Sequence, residues 1–273
     1  MHGDNLQVLA GFRRGTFDLV YIDPPFNTGR LQRRTQLRTT LAAPGDAGDR
    51  TGFGGKRYTS RRVSSHAYPD QFDDYLGFLV PRLREARRVL TPTGSLFVHL
   101  DSREVHYVKV ALDTLFGRES FKNEIIWAYD YGARSTRSWP RKHDTILWYA
   151  MDPAQYTFRL AHSDRIPYMA PGLVTPEKRA RGKLPTDTWW QTIVSPTGKE
   201  KTGYPTQKPV ALLERIVKVH SQPGDKLLDF FAGSGSFGDA ADRHGRDVTL
   251  VDSQRAAIQV MKKRFADRNV EFR

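Results

Sequence analysis

This sequence predicts an α/β fold, a mostly parallel sheet covered by helices on both faces, and three observations carry that reading. β-prone apolar runs alternate with amphipathic helical stretches along most of the chain. The strand candidates are short and nearly continuously apolar, as strands buried on both faces are. Two of them stop abruptly, one at Asp23-Pro24-Pro25 and the other at a turn holding Gly233 and Gly235. No internal repeat competes with this reading.

The first strand is Phe17–Ile22, and prolines end it because proline cannot continue a ladder or enter a helix interior. Residues 30–66 are rich in arginine and glycine and poor in apolar periodicity, so they read as a long mobile basic loop. Apolar spacing from Phe72 through Leu76, Leu79, Leu83, Ala86 and Leu90 predicts a helix over 70–90, which Pro81 should kink or divide. A turn at Thr91-Pro92-Thr93-Gly94 leads to a buried strand at 95–100 and a helix at Val105–Phe116. Strands at 124–127 and 145–149 flank a second basic loop, 132–143. Prolines, tryptophans and charges then break the pattern, and 152–203 reads as an irregular insertion rather than sheet core. Helix Val210–His220, strand 226–230, helix 236–244, strand 247–251 and helix 254–265 complete the alternation.

A chain of 273 residues, 38% of them hydrophobic, can bury a substantial core as one domain. Its longest apolar runs, near 96–100 and 146–151, are too short to cross a bilayer, and polar residues follow Met1 at once. Zero cysteines exclude disulfides and thiolate-bound metals. A soluble cytoplasmic protein with no membrane partner and no metal centre is the expectation. Forty-three Lys and Arg against 30 Asp and Glu give a formal charge of +13, which favours a polyanionic partner because neutralised phosphates release counterions.

The sharper signals sit at the two abrupt strand ends. In Leu227-Leu228-Asp229-Phe230-Phe231-Ala232-Gly233-Ser234-Gly235-Ser236 a buried strand runs into a glycine turn and then a helix. Glycine lets backbone approach a ligand closely, and the helix start offers unpaired N–H groups. The next strand ends at Asp252, about where an acid accepts hydrogen bonds from ribose hydroxyls. The turn lacks both the dinucleotide glycine spacing and a P-loop lysine, so an adenosine ligand without pyrophosphate, S-adenosyl-L-methionine, fits best. In Asp23-Pro24-Pro25-Phe26-Asn27-Thr28-Gly29 two prolines hold the Asp23 carboxylate and the Pro24 carbonyl as fixed acceptors. An exocyclic NH₂ has two hydrogens for two such acceptors, and Phe26 offers a face on which an unstacked base could lie, worth roughly 1–3 kcal/mol.

These motifs make the chain resemble the permuted β class of DNA amino-methyltransferases, the N6-adenine/N4-cytosine family. In that family the Asp-Pro-Pro-aromatic motif precedes the cofactor glycine loop, and Asp23 here precedes Gly233 by 210 residues. The resemblance spans nearly the whole chain except 30–66 and 152–203, and 95–109 and 123–150 look similar to the catalytic part of type III modification subunits. It implies a Rossmann-like methyltransferase fold in one circularly permuted domain, with a seven-stranded sheet, one strand antiparallel, and a target-recognition insertion at 152–203. It also implies roles for residues. His2-Gly3-Asp4-Asn5 places Asp4 at the cofactor adenine, and Tyr204-Pro205-Thr206-Gln207-Lys208-Pro209 places Thr206 and Lys208 around its methionine part. Asp23, Asp229, Phe230, Phe231, Gly233, Ser234, Gly235 and Asp252 complete the cofactor set, and Asp23, Pro24, Pro25 and Phe26 form the catalytic set. Phe26 stands where many members carry Tyr, a change that keeps the stacking face. Asp rather than Ser at position 23 resembles N6-adenine enzymes more than N4-cytosine ones.

DNA contact is assigned to Arg30, Arg33, Arg34, Arg38, Lys56, Arg57, Arg61 and Arg62 beside the catalytic motif and to Arg134 and Arg137 in the second basic loop. The target base must leave the duplex stack, because its amino group is otherwise paired. The absence of cysteine rules out the thiolate attack of cytosine C5 methylation. His99, His143 and His220 show no metal-ligand spacing and read as structural or surface residues. The resemblance brings a homodimer and a cognate restriction endonuclease as candidate partners. N4 of cytosine, an RNA or protein acceptor, and a non-catalytic DNA-binding module stay open as alternatives.

Overall fold

The computed structural model describes residues 1–42, 50–51, 56–132, 134–195 and 198–272, and of these the side chains at 30–39, 50–51 and 60–69 lie outside the description. The chain begins with α1 (Asn5–Ala10) and β1 (Phe17–Ile22), then β2 (Arg30–Leu41), β3 (Arg50–Thr51) and β4 (Arg57–Asp70). α2 (Tyr75–Val89), β5 (Leu90–Leu100), α3 (Val105–Phe116), β6 (Phe121–Ala128) and β7 (His143–Ala150) follow. α4 (Pro176–Arg181), β8 (Thr188–Trp190), α5 (Val210–His220), β9 (Lys226–Asp229), α6 (Ser236–Arg243), β10 (Asp247–Leu250) and α7 (Arg255–Arg264) close the order.

A seven-stranded sheet runs β10-β9-β1-β5-β7-β6-β8. All neighbours are parallel except where β7 inserts antiparallel between β5 and β6, so one strand opposes the other six. β1 is an interior strand, between β9 and β5, and is buried on both faces, because alternate residues of a strand point to opposite sides. Val20 and Ile22 join a core built with Leu79, Leu83 and Ala86 of α2 and Val108 and Leu112 of α3. Leu19 and Tyr21 join the opposite core with Leu213, Ile216 and Val217 of α5 and Phe237 and Ala240 of α6. Continuous apolar strands are what two cores demand.

Four expectations need correction or refinement. The described part of 30–66 is not loop: β2, β3 and β4 form a separate antiparallel ribbon, with Arg30 paired to Asp70 and Leu41 to Tyr58. Cross-strand backbone hydrogen bonds hold such a ribbon without an apolar face, so hydrophobic periodicity did not mark it. α2 runs unbroken through Pro81 and starts at Tyr75, where Asp74 Oδ1 accepts the Gly77 N–H at 2.7 Å as its cap. Pro81 has no N–H to give the Gly77 carbonyl, a loss confined to one bond of the helix; the Arg82 guanidinium donates to the next carbonyl, that of Phe78, at 2.7 Å. The Thr91–Gly94 turn is absorbed into β5 as an irregularity, since Phe17 pairs with Leu90 but Leu19 pairs with Ser95. Within 152–203, β8 adds a parallel edge strand that pairs Trp189 with Trp127. Three residues were too few to show a period.

Candidate active site

The two chemical motifs meet at the carboxyl edge of the sheet because β1 and β9 are adjacent, with Leu19 paired to Leu227 and Val20 to Leu228. Asp23 and Asp229 therefore emerge side by side, although 206 positions separate them in the sequence. They line one cavity of about 240 Å³ together with Asp4, Pro25, Thr206, Lys208, Phe230, Phe231, Gly233, Ser234 and Asp252.

The Asp23–Gly29 turn is clamped from below. Buried Asp70 accepts from the backbone N–H of Asn27 at 2.8 Å and from the Thr28 hydroxyl at 2.6 Å. The Tyr75 hydroxyl donates to the Pro25 carbonyl at 2.7 Å, and Asn27 sits at φ +53°, where its amide donates to Glu104 at 2.7 Å. Phe26 and Pro24 do not line the cavity. Instead Phe26 packs on the α2/α3 core, its ring stacked on His99 with centroids 6.0 Å apart.

On the cofactor side, Asp252 ties the glycine turn down: its carboxylate accepts the Gly233 N–H at 2.8 Å and the Gln254 N–H at 2.7 Å. Gly233 has φ +49°, and a Cβ there would come within 3.2 Å of the Tyr204 ring. The cavity wall at that point is close-packed only because glycine has no side chain. Gly235 does not line the cavity; a Cβ there would stand 2.9 Å from Met261 Cγ, so it serves the packing of α6 against α7. Asp4 caps α1 by accepting the Leu6 N–H at 3.0 Å and also pairs with Arg82 at 3.1 Å.

One ion pair joins the motifs. Lys208 Nζ lies 2.7 and 2.6 Å from the two carboxylate oxygens of Asp23 and 4.8 Å from the Phe26 ring centroid. Asp229 has no such partner. Burial pushes its carboxyl well above the ordinary range, and the neighbouring charges of Asp23 and Asp252 add to that effect. Burial likewise raises Asp252. The two cationic residues that line the cavity, Lys208 and Arg82, are already engaged by Asp23 and Asp4. What remains is a carboxylate-rich pocket suited to a ligand that brings positive charge. S-adenosyl-L-methionine, with a sulfonium and an ammonium, fits it.

Sequence reasoning missed Asn5, Tyr21, Phe78 and Arg82, all of which line the cavity. The Asn5 amide donates to the Phe230 carbonyl at 2.9 Å and its oxygen accepts from Arg82 Nε at 2.5 Å. An arginine at an apolar helix position, between Leu79 and Leu83, was the one available signal.

The nucleic-acid candidates divide. Lys56, Arg57, Arg134 and Arg137 are exposed, whereas the side chains of Arg30, Arg33, Arg34, Arg38, Arg61 and Arg62 lie outside the described residues. Arg134 and Arg137 sit between the end of β6 and the start of β7, at the edge of the sheet that carries Asp23. Among the described residues no carboxylate lies within ion-pairing distance of Arg134, Arg137, Arg141 or Lys142. No helix among the described residues is long and apolar enough to cross a membrane.

A carboxylate-lined pocket for an adenosyl cofactor, set against a proline-stiffened acceptor turn at the ends of a parallel sheet, defines a cofactor-dependent group-transfer protein of the Rossmann-like class. Comparisons narrow the class. A family model described as DNA methylase, of the N6/N4 type, matches residues 17–263. The type II methyltransferase M.HpaI of Haemophilus parainfluenzae is 27% identical over 260 residues, covering 95% of this chain and 71% of its own length. The DNA adenine methyltransferase YhdJ of Escherichia coli strain K12 is 28% identical over 276 residues, covering 97% of this chain and 81% of its own length. The crystal structure of the M1.HpyAVI–SAM complex superposes with a TM-score of 0.61 at 21% identity, covering 96% of each chain. The chain belongs to the N6/N4 DNA methylase family, and its methyl donor is S-adenosyl-L-methionine.

Proposed function

We propose that the protein methylates N6 of an adenine, flipped out of DNA at a specific sequence, with Asp23 holding the target amino group. The observation that carries this reading is the placement of the Asp23 carboxylate, braced by Lys208, in the cavity that Asp229, Gly233 and Asp252 line. The family covers both N6 and N4 amino groups; Asp at position 23 and the adenine-named relative YhdJ favour adenine.

When bound, the cofactor supplies an electrophilic methyl on its sulfonium. Asp252 would accept from the ribose hydroxyls with the lone pairs its backbone contacts leave free, and Asp4 would meet the adenine edge. Thr206 and the Tyr204 ring would close over the methionine part. An ionised carboxylate has about four lone-pair sites. Lys208 uses one on each oxygen of Asp23. The remaining sites are enough to accept a hydrogen bond from the target amino group, with the Pro24 carbonyl as second acceptor. Those two bonds would draw the nitrogen away from planar conjugation and aim its lone pair at the methyl the cofactor would supply, and the proton lost on methylation would pass through the Asp23 carboxylate to solvent. Lys56, Arg57, Arg134 and Arg137, with the ribbon arginines, would neutralise phosphates.

Transfer of tritiated methyl to adenine-containing duplex, to RNA and to protein, followed by modified-base sequencing, tests the reading. N6-methyladenine at one sequence context is the expected product. N4-methylcytosine, or label only in RNA or protein, would replace it, and no transfer to any acceptor would leave a binding module.

A further inference from the structure

Methyl transfer by these residues leaves one buried polar chain unused. His99, on β5 and fully buried, has both ring nitrogens engaged: Nδ1 lies 2.9 Å from the Tyr21 hydroxyl and Nε2 lies 3.1 Å from Asp144 Oδ2. The Tyr129 hydroxyl donates to the other Asp144 oxygen at 3.3 Å. The chain thus joins three strands, β1, β5 and β7, and reaches the residue just after β6. Burial opposes the Asp144 charge, yet its hydrogen bond with His99 holds the carboxyl below its ordinary range, so it accepts from Nε2–H. Burial pushes the Tyr21 phenol well up, so it keeps its proton and donates to Nδ1. Every donor and acceptor of the imidazole is used, and the ring is fixed in plane and tautomer.

What that fixed ring touches matters. Its face carries Phe26 at 6.0 Å with the planes 27° apart, and its edge meets Trp127 at 5.5 Å. Tyr21 lines the cofactor cavity and is stacked on Phe237 of α6 at 5.1 Å. Tyr129 also donates its backbone N–H to the Lys142 carbonyl at 3.0 Å, closing the base of the basic loop 130–142. One imidazole is therefore wedged between the ring beside the catalytic turn, a wall of the cofactor cavity and the root of the cationic loop. Three carboxylates and one ammonium complete the charged surroundings of this polar chain, Asp144 in direct contact with His99, and Asp23, Asp229 and Lys208 beyond it.

We propose that His99 is a positioning residue, which through Tyr21 and Asp144 sets the plane of Phe26 and its distance from the cofactor cavity, so that the flipped base lies in line with the methyl donor. The inference rests on the amino-methyltransfer reading. Misplacement of reacting groups by about 1 Å costs on the order of 10²-fold in rate. His99 touches neither substrate nor cofactor, so its loss should fall on kcat and spare cofactor binding.

The test uses the full chain with His99→Leu, which keeps bulk but no hydrogen bond, and His99→Gln, which keeps one donor and one acceptor. Tyr21→Phe cuts the chain at its cavity end by removing a single oxygen. Methyl transfer to duplex DNA, cofactor Kd and the fluorescence of 2-aminopurine at the target adenine are measured for each. We expect kcat to fall about 10²-fold in His99→Leu with cofactor Kd within twofold. His99→Gln should recover at least tenfold of that loss, Tyr21→Phe should lower kcat about tenfold, and 2-aminopurine emission should rise in the Leu variant as the base loses its stacking partner. Wild-type kcat in both the Leu and the Tyr21→Phe variants overturns the proposal, as does equal loss in the Gln and Leu variants. If the Leu variant fails to fold, Tyr21→Phe decides alone, and wild-type kcat in it overturns the proposal. A wild-type protein that transfers no methyl to DNA sinks the functional reading itself, a separate result.

Discussion

Asp23 and Asp229 end adjacent strands, line the same cavity and are treated in opposite ways. Asp23 is partly exposed and gripped on both oxygens by Lys208; Asp229 is buried, accepts the Phe231 N–H at 2.9 Å and has no cation in contact. A carboxylate held on both oxygens by an ammonium is fixed in place, as an acceptor for a neutral amino group must be. One whose charge burial disfavours and no cation offsets is suited to a ligand that brings positive charge. The contrast teaches that one sheet edge can hold a lysine-braced carboxylate and a buried one without a cation a strand apart, the pair that the proposed substrate acceptor and cofactor receptor call for.

The largest effect should come from unbalancing the braced pair. Lys208→Met leaves Asp23 charged in a half-closed site and should destabilise the fold by about 3–5 kcal/mol in urea unfolding, with most of that regained in the Lys208→Met/Asp23→Asn double variant. Equal stability in all three proteins would mean that the pair is a surface-like contact. Next comes Asp23→Ala, expected to lower methyl transfer by about 10²–10³-fold, roughly 2.7–4 kcal/mol, while the cofactor still binds in calorimetry. Wild-type turnover would remove Asp23 from the reaction.

Asp4→Ala should cost about 1 kcal/mol through loss of the α1 cap and weaken cofactor binding as well. For Asp229 the direction follows from linkage. Its folded carboxyl titrates above the unfolded value, so the unfolded chain ionises first as pH rises and stability falls through that window. Asp229→Asn removes the penalty: the cofactor-free protein should melt higher at pH 7, about 2–4 °C for each kcal/mol recovered, while cofactor Kd rises. A lower melting temperature would contradict a carboxyl raised by burial at Asp229. The smallest effect is on DNA affinity. Arg134→Gln and Arg137→Gln should each reduce the slope of log Kd against log salt by about 1, without changing the base methylated.

Much of this was legible because local chemistry decides it. The double proline after Ile22, the glycine turn after Asp229 and the apolar spacing of α3 and α5 depend on residues close in sequence, and their positions agree with the structure within a residue or so. The 30–66 ribbon was not legible, since its strands carry polar residues and hold together by backbone pairing. His99 was passed over because nothing near it in sequence reports Tyr21, Asp144 or Phe26 as partners. Phe26 and Gly235 sit in their motifs as expected but do not line the cavity, because motif membership does not state which way a residue faces.

By itself the sequence determined the alternation of strands and helices, the stiff acceptor turn and the glycine loop, because steric limits on proline and glycine and the periodicity of apolar residues act over a few neighbours. Only the tertiary structure decided that Lys208 would reach Asp23 across 185 positions, that Asp229 would go without a counterion, and that a buried histidine would lie behind Phe26. Those outcomes depend on strand order and on where charge is excluded from water, and both arise only when distant segments pack.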